Sequence, residues 1–397
     1  MVVGGGVAGL ACAQALHEQG RKVVLLEKEE CGVGASGRSS GFVTPDSEME
    51  LSSLVHHGGM ERAKRLWEFV VSGVEDIRGN IQRHNIECDY QVQDSLFLAN
   101  SPEGASRVID EHDARIRLGY DSALYDAKTI RSILGSAECC GGVRYPGTFS
   151  INAYRYCQGM RDVLRDSGVV IHEHSCVTEI DDGRVVANGF TIRADAVLLC
   201  VDHVLPQFAL LPNEVYHIQT FLAVSAPLTD AQMSTIFPES PLMVWDSDLI
   251  YQYFRLTGDD RLLLGASSLR YTYDRERASV VPRILDKMSA FARRKFPHTP
   301  IDLEYFWPGL IGVSKDLLPL AGQDAARPTI SFVSGATGLA WAAALGRYLA
   351  EKLGSNRSDY DVEFDPKRHF AIDGTLQRFI GTPTAFALSH GIVKLRR

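Results

Sequence analysis

The chain has no apolar run reaching the roughly 18 residues that a membrane-spanning helix needs, and no charged stretch followed by an apolar one near its start. A transmembrane segment and a secretory leader are therefore not expected, and the chain reads as cytoplasmic. Its 8 cysteines form no CxxC pair and no Cys/His ligand spacing, so a metal site is not expected either. Positive charge is in deficit: 41 Lys and Arg stand against 49 Asp and Glu, for a net charge of −8. A surface of that sign is poorly suited to a phosphate backbone, and no nucleic-acid partner is expected. Repeats and low-complexity linkers are missing. So is any Ser/His/Asp set or carboxylate pair arranged for nucleophilic or acid–base catalysis, and no catalytic residue is assigned.

What remains is a globular composition long enough for two domains. The 397 residues are 45% hydrophobic and 23% charged. There are 35 glycines, which suits loops that approach a ligand closely. The first forty residues carry the strongest signal. Val2-Val3 is a short β-branched run, and only three residues precede the glycines, fewer than the roughly five or six of an ordinary strand. Gly4, Gly6 and Gly9 then fit G-x-G-x-x-G. Residues 10–19 read as a helix ended by Gly20, and residues 21–26 as a second buried strand closed by Glu27. In such a unit Gly4 permits the tight turn, Gly6 lets backbone approach a pyrophosphate, and Gly9 lets the helix pack on the sheet. The helix N-terminus offers N–H groups to the phosphates, and Glu27 accepts the ribose hydroxyls. This pattern predicts dinucleotide binding.

The next segment, Gly34-Ala35-Ser36-Gly37-Arg38-Ser39-Ser40-Gly41, resembles the second flavin loop of the D-amino-acid oxidase and glycine oxidase superfamily, with Ser39 in place of the usual Asn. The likeness extends along the chain in the family's order. Residues 145–179 look like its crossover, with a helix near 153–166 and a strand near 169–172. Residues 191–201 look like the strand returning under the adenine. Trp307, Gly309, Leu310, Asp316, Pro319 and Gly322 match a W-x-G-L…D-x-x-P-x-x-G block. Gly335 to Leu339 resembles the loop that closes over the flavin. Asp202 stands where the family has a small residue, which puts the turn there in doubt.

The resemblance implies an α/β fold. A Rossmann-like FAD-binding domain of the glutathione reductase type is interrupted by a strand-rich α+β substrate domain with a mixed β-sheet. The expected division is 1–85, 143–212 and 307–371 for FAD, 86–142 and 213–306 for substrate, and a tail at 372–397. It further implies FAD contacts from Gly4, Gly6, Val7, Ala8, Gly9, Glu27 and Lys28 in the first unit. Ala35, Ser36, Arg38, Ser40, Gly41 and Phe42 supply the second loop. Val177 lies toward the adenine, and Gly335, Ala336, Thr337, Gly338 and Leu339 close the site.

The activity implied is oxidation of an amine or N-substituted amino acid by hydride transfer to flavin N5, which needs little acid–base help from the protein. The likeness is strongest to γ-glutamylputrescine oxidase-like members. Glycine oxidase-like members clamp the substrate carboxylate with an arginine where this chain has Ile311, so a simple α-amino acid is not favoured. Arg255, Arg270 and Lys315 are the cations that stand near enough in sequence to replace it. Tyr251 and Tyr253, on a strand entering a hairpin at Thr257-Gly258-Asp259-Asp260, are candidates for the substrate pocket. Sarcosine oxidase-like members attach FAD through a cysteine in the segment matching 311–315. None lies here, so FAD is expected to be noncovalent. Leu263 stands where those relatives use a lysine with dioxygen, leaving dioxygen, a quinone or a carrier protein as acceptors. The alternatives are a dehydrogenase of a hydroxy acid or polyol phosphate, or a flavin-binding protein without turnover that serves a partner complex.

Overall fold

A computed structural model describes residues 1–46, 48–136, 139–202, 208, 210–211, 213–248, 251–265, 270–272, 281–354 and 360–395. The side chain of Arg270 and the basic end of the tail, Arg396 and Arg397, lie outside the described residues.

The first of two large sheets has six strands in the order Leu320–Gln323, Ile330–Ser334, Val197–Cys200, Val2–Val3, Val24–Leu26, Val170–His172. Every pair is parallel except that of the edge strand Leu320–Gln323. Its inner strands are short apolar runs, VV, VLL and VLLC, because both faces are covered, one by helices and the other by a small three-stranded sheet. Helices Val7–Glu18, Leu339–Lys352 and the long Leu51–His84 pack against one another on one face. The helix Ala153–Asp166 makes the expected crossover into Val170–His172. A three-stranded antiparallel sheet, Val177–Asp181, Arg184–Ala187 and Phe190–Arg193, fills the connection back to Val197–Cys200.

The second large sheet is mixed. It runs Arg270–Thr272, Tyr216–Ser225, Leu262–Gly265, Tyr253–Leu256, Leu242–Asp246, Asp94–Ala99, Gly141–Tyr145, Ala123–Asp126, and the strand Leu303–Val313 pairs with Tyr216–Ser225. Leu242–Asp246 lies parallel to Asp94–Ala99; the other pairs are antiparallel. Gly141–Tyr145 and Leu303–Val313 both run across the boundaries expected at 143 and 307.

Alternation decides what each face of this sheet does. Leu96, Leu98, Phe221, Val244, Phe254, Leu256 and Leu264 form a buried core with Ile284, Met288, Phe291 and Phe296 around helix Val281–Lys295. Residues of the other parity, Tyr253, Arg255, Leu263, Leu222 and Trp307, point to the opposite face. The register sets Leu222 opposite Trp307 and Ile218 opposite Ile311. Part of that second face is covered by helix Pro102–Leu118, through Phe97, Val108, Val143, Tyr145 and Trp245.

One buried ionic cluster fastens this helix to the segment after Gly41. Arg115 Nε donates to Glu111 Oε1 at 2.7 Å, and its Nη2 to Asp46 Oδ1 at 2.9 Å. The Tyr145 hydroxyl donates to Asp46. The guanidinium also lies 3.4 Å from the centroid of the Tyr145 ring. Burial raises the pKa of both carboxyls, and the charge of Arg115 opposes it.

No helix among the described residues is long and apolar enough to cross a membrane, and none of their His, Cys, Asp and Glu side chains form a group that could hold a metal.

Removing Arg115 leaves two carboxyls buried without the cation that bonds them both. Arg115→Met is therefore expected to lower the unfolding free energy by about 3–5 kcal/mol in urea. The loss should be larger at pH 8 than at pH 5, because protonation relieves both carboxyls. A loss below about 1 kcal/mol would show that the cluster is not strongly coupled to folding.

Candidate active site

The glycine turn sits at the carboxyl end of Val2–Val3, next to the neighbouring strand Val197–Cys200 and at a crevice where parallel α/β sheets bind ligands. Gly4 has φ +106°, and a Cβ there would lie 2.4 Å from Cys200 O. A Cβ on Gly9 would lie 1.8 Å from Gly4 O, so the helix packs onto the turn at hydrogen distance. Gly6 differs: a Cβ there would meet within 3.5 Å only the Ser36 hydroxyl, at 2.9 Å. Backbone at Gly6 therefore faces space and one mobile hydroxyl rather than packed chain.

Ser36 joins the two predicted loops. Val7 N, in the first turn of helix Val7–Glu18, donates to Ser36 Oγ at 3.1 Å, and Gly32 N donates to Gly5 O at 2.9 Å. The helix has no side-chain cap of its own, so its positive end is directed at this junction. Glu27 follows strand Val24–Leu26. Its carboxylate accepts from Gly5 N at 2.6 Å and from Glu29 N at 3.0 Å, which fixes it beside the turn. Lys28 is exposed, with its Nζ 3.9 Å from Glu29 Oε1. Val177 is buried in the apolar cluster that holds Leu26 and Val3.

The second loop, residues 33–41, is anchored to the mixed sheet. Arg255 is 4% exposed. Its guanidinium donates to Ser40 O at 2.7 Å, Ile151 O at 3.1 Å, Leu256 O at 2.8 Å and Ser150 Oγ at 3.3 Å. Trp307 Nε1 donates to Arg38 O at 3.1 Å. Gly41, at φ +73°, is required by this anchoring, since a Cβ would lie 1.9 Å from Ile151 O.

The closing loop leads from strand Ile330–Ser334 to helix Leu339–Lys352 through Gly335, Ala336, Thr337 and Gly338. Thr337 is buried, and its hydroxyl has no hydrogen-bond partner among the described residues. An orphaned buried hydroxyl, an uncapped helix end, a glycine open on one side and a fixed carboxylate together suit a dinucleotide with a polar chain beyond its pyrophosphate. The residues present fit FAD.

The predicted substrate residues share the face of the mixed sheet that meets these loops. The Tyr253 ring lies 5.7 Å from Phe42, the residue after Gly41, and 5.7 Å from Tyr251. The Tyr251 hydroxyl donates to Glu48 Oε1 at 3.0 Å. Ile311 packs against a buried cluster of Tyr216, Ile218, Val313, Leu317 and Phe386, as does Met49. The tail thus takes part: its helix Thr382–Leu395 supplies Phe386 and also His390, whose Nε2 lies 2.7 Å from Ser314 O. Of the cations considered for a carboxylate clamp, Arg255 is fully engaged with protein acceptors. Lys315 is buried with its Nζ over the rings of Phe370 and Phe386.

Sequence reasoning did not identify Glu48, which lies outside every motif. It also did not foresee the role of Asp202. That carboxylate accepts from Gly312 N at 2.7 Å and ties the end of Val197–Cys200 to strand Leu303–Val313. Burial pushes its pKa up to about 6.

A model of the family described as FAD dependent oxidoreductase matches residues 1–352. Among curated relatives, the γ-glutamylputrescine oxidoreductase of Escherichia coli is 28% identical over 390 residues, covering 94% of this chain and 87% of that protein. A probable oxidoreductase of Haemophilus influenzae is 26% identical over 368 residues, covering 89% and 82%. The fold is shared with glycine oxidase from Geobacillus kaustophilus at a TM-score of 0.77 and 19% identity, covering 93% of this chain and 98% of that one. L-proline dehydrogenase from P. horikoshii gives the same score at 16% identity, covering 92% and 96%.

Two variants test the site. Gly6→Val puts a branched side chain into the open side of the turn. It is expected to fold, by circular dichroism, yet lose FAD affinity by at least about a hundredfold, roughly 3 kcal/mol. Yellow protein with normal flavin content would disprove the placement.

Asp202→Asn tests the buried carboxyl. In the unfolded chain an Asp titrates near about 3.9, while burial holds Asp202 at about 6 when folded. Its contribution to stability is complete below about pH 4 and is lost as pH rises through 6. Asn keeps an acceptor for Gly312 N and never ionises. The urea midpoint of the variant should therefore gain on that of the wild type between about pH 4 and pH 6, then hold level. A difference independent of pH would refute this.

Proposed function

The chain belongs to the FAD dependent oxidoreductase family, and from that premise we propose that it oxidises the C–N bond of an amine or N-substituted amino acid. FAD is its cofactor and a small molecule its substrate. The observation that carries the C–N reading is the sheet face opposite the flavin loops. It presents Tyr253, Tyr251, Leu263 and Ile311, and its buried guanidinium, Arg255, is held by Ser40 O, Ile151 O and Leu256 O. A substrate carboxylate on that face would need a paired cation, since an unpaired buried charge costs several kcal/mol. An uncharged amine meets no such penalty.

When bound, FAD supplies the hydride acceptor. The chain's own residues do the rest. The helix end at Val7, with Gly6 and Ser36, receives the pyrophosphate, and Glu27 the ribose. Residues 35–42, with Gly335 to Leu339, hold the ribityl chain and ring. Tyr251, Tyr253 and Ile311 form the substrate wall and exclude water. The apolar surroundings keep the reacting nitrogen neutral, so that its lone pair is available as hydride leaves the adjacent carbon. Residues 1–85, 143–212 and 307–371 serve FAD; 86–142 and 213–306 serve substrate. FAD is held noncovalently, the protein works in the cytoplasm, and electrons pass to dioxygen, a quinone or a carrier protein.

Anaerobic mixing with a substrate panel tests this. Amines and N-alkylated amino acids should bleach the flavin absorbance, while glycine and D-alanine should do so slowly. Ile311→Arg should gain affinity for amino acids. Rapid reduction by glycine or D-alanine would overturn the reading of Ile311. Reduction by hydroxy acids or polyol phosphates alone would overturn the C–N assignment. Acid precipitation should leave the yellow colour in solution.

A further inference from the structure

Residues 374–397 differ in charge from the rest of the chain. They hold four cations, Arg378, Lys394, Arg396 and Arg397, and no Asp or Glu, in a protein of net charge −8. Between Arg378 and Lys394 no Asp, Glu, Lys or Arg occurs at all. The stretch folds as helix Gly374–Ile380 and helix Thr382–Leu395, with Gly381 at φ +83° between them.

Both helices use one side to hold the protein. Gln377 is buried, and its Nε2 donates to Asn213 O at 3.3 Å. Phe386 packs on Tyr216, and Ala385, Ser389 and His390 of the same helix are buried with it. The opposite positions are exposed. On the longer helix they are Pro383, Thr384, Ala387 and Leu388, and on the shorter one Leu376 and Phe379 with Arg378. Phe379 is 85% exposed, the most of any large apolar side chain among the described residues. A helix that faces water normally puts charge on that side. Helix Val281–Lys295 does so with Arg283, Asp286, Lys287 and Arg293.

An exposed apolar surface flanked in sequence by cations has a chemical complement: acyl chains beneath anionic headgroups. A second copy of the chain is a poorer one. The two helices together present roughly 300 Å², at about 1.5 Å of rise per residue and 10 Å of width, whereas a stable interface takes about 800 Å² per partner. The cations of two copies would also repel one another. At 14 residues, helix Thr382–Leu395 is too short to span a bilayer, which takes about 20.

We propose that the outer side of these two helices docks on the surface of an anionic lipid bilayer. Leu376, Phe379 and Leu388 enter the boundary between headgroups and acyl chains, and the four cations supply attraction to the headgroups. The inner side of the longer helix packs, through Phe386, in the cluster that also seats Ile311, so the docked side lies one helix away from the substrate wall.

Docking does not depend on which bond is oxidised, so its test needs no turnover. The FAD-loaded enzyme is sedimented with vesicles of phosphatidylcholine alone and with vesicles of equal parts phosphatidylcholine and phosphatidylglycerol. Binding to the anionic vesicles should be at least about tenfold stronger and should fall as salt is raised. Phe379→Ser with Leu388→Ser should weaken it by at least about tenfold at unchanged flavin content and thermal midpoint. Arg396→Gln with Arg397→Gln, which leaves the apolar side intact, should narrow the difference between the two kinds of vesicle by about tenfold. No binding of the wild-type enzyme to anionic vesicles, or equal binding to both kinds, would overturn the proposal. So would a concentration-dependent dimer seen by light scattering without vesicles and lost in the serine variant, because a second copy would then be the occupant.

Discussion

The buried guanidinium of Arg255 is the constraint on which the site depends. It joins three stretches far apart in sequence: the second flavin loop at Ser40, the end of the short strand Phe149–Ser150 with Ile151 after it, and its own strand Tyr253–Leu256. All four acceptors are neutral, and desolvation lowers its pKa to about 10, so it stays charged near neutral pH. A cation held by carbonyls is costly to bury, but the hydrogen bonds it donates offset part of that cost, and only Leu256 O has a second described donor, Gln93 Nε2 at 3.3 Å. The planar fork matters, because a lysine ammonium could not reach three directions from one position. Through this contact a loop without regular structure acquires a fixed distance to the sheet, and Gly41 becomes the residue that lets Ile151 close on it.

The anchoring divides the sheet face into parts with different work. Near Ser40 the face is structural. Beyond it, Tyr253 meets Phe42, and Tyr251 meets Glu48, so the same alternation that buries Arg255 also aims Tyr253 at the chain that follows the second flavin loop. Parity leaves little choice here. A one-residue slip of Tyr253–Leu256 would send Arg255 into the core around Phe291 and Phe296 and turn Phe254 toward the flavin loops.

This explains which features the sequence disclosed. The glycine turn, the helix Val7–Glu18, the crossover Ala153–Asp166 and the hairpin at residues 257–260 are local, and propensity and spacing declare them. Glu48 and Tyr251 are 203 residues apart, Arg255 and Ser40 are 215 apart, and Arg115 and Asp46 are 69 apart. No local signal connects such pairs. The parallel pairing of Leu242–Asp246 with Asp94–Ala99 is equally silent, because an apolar run of five does not state its neighbour. Asp202 was legible as a departure from the family, and its partner, Gly312 N, only from the fold.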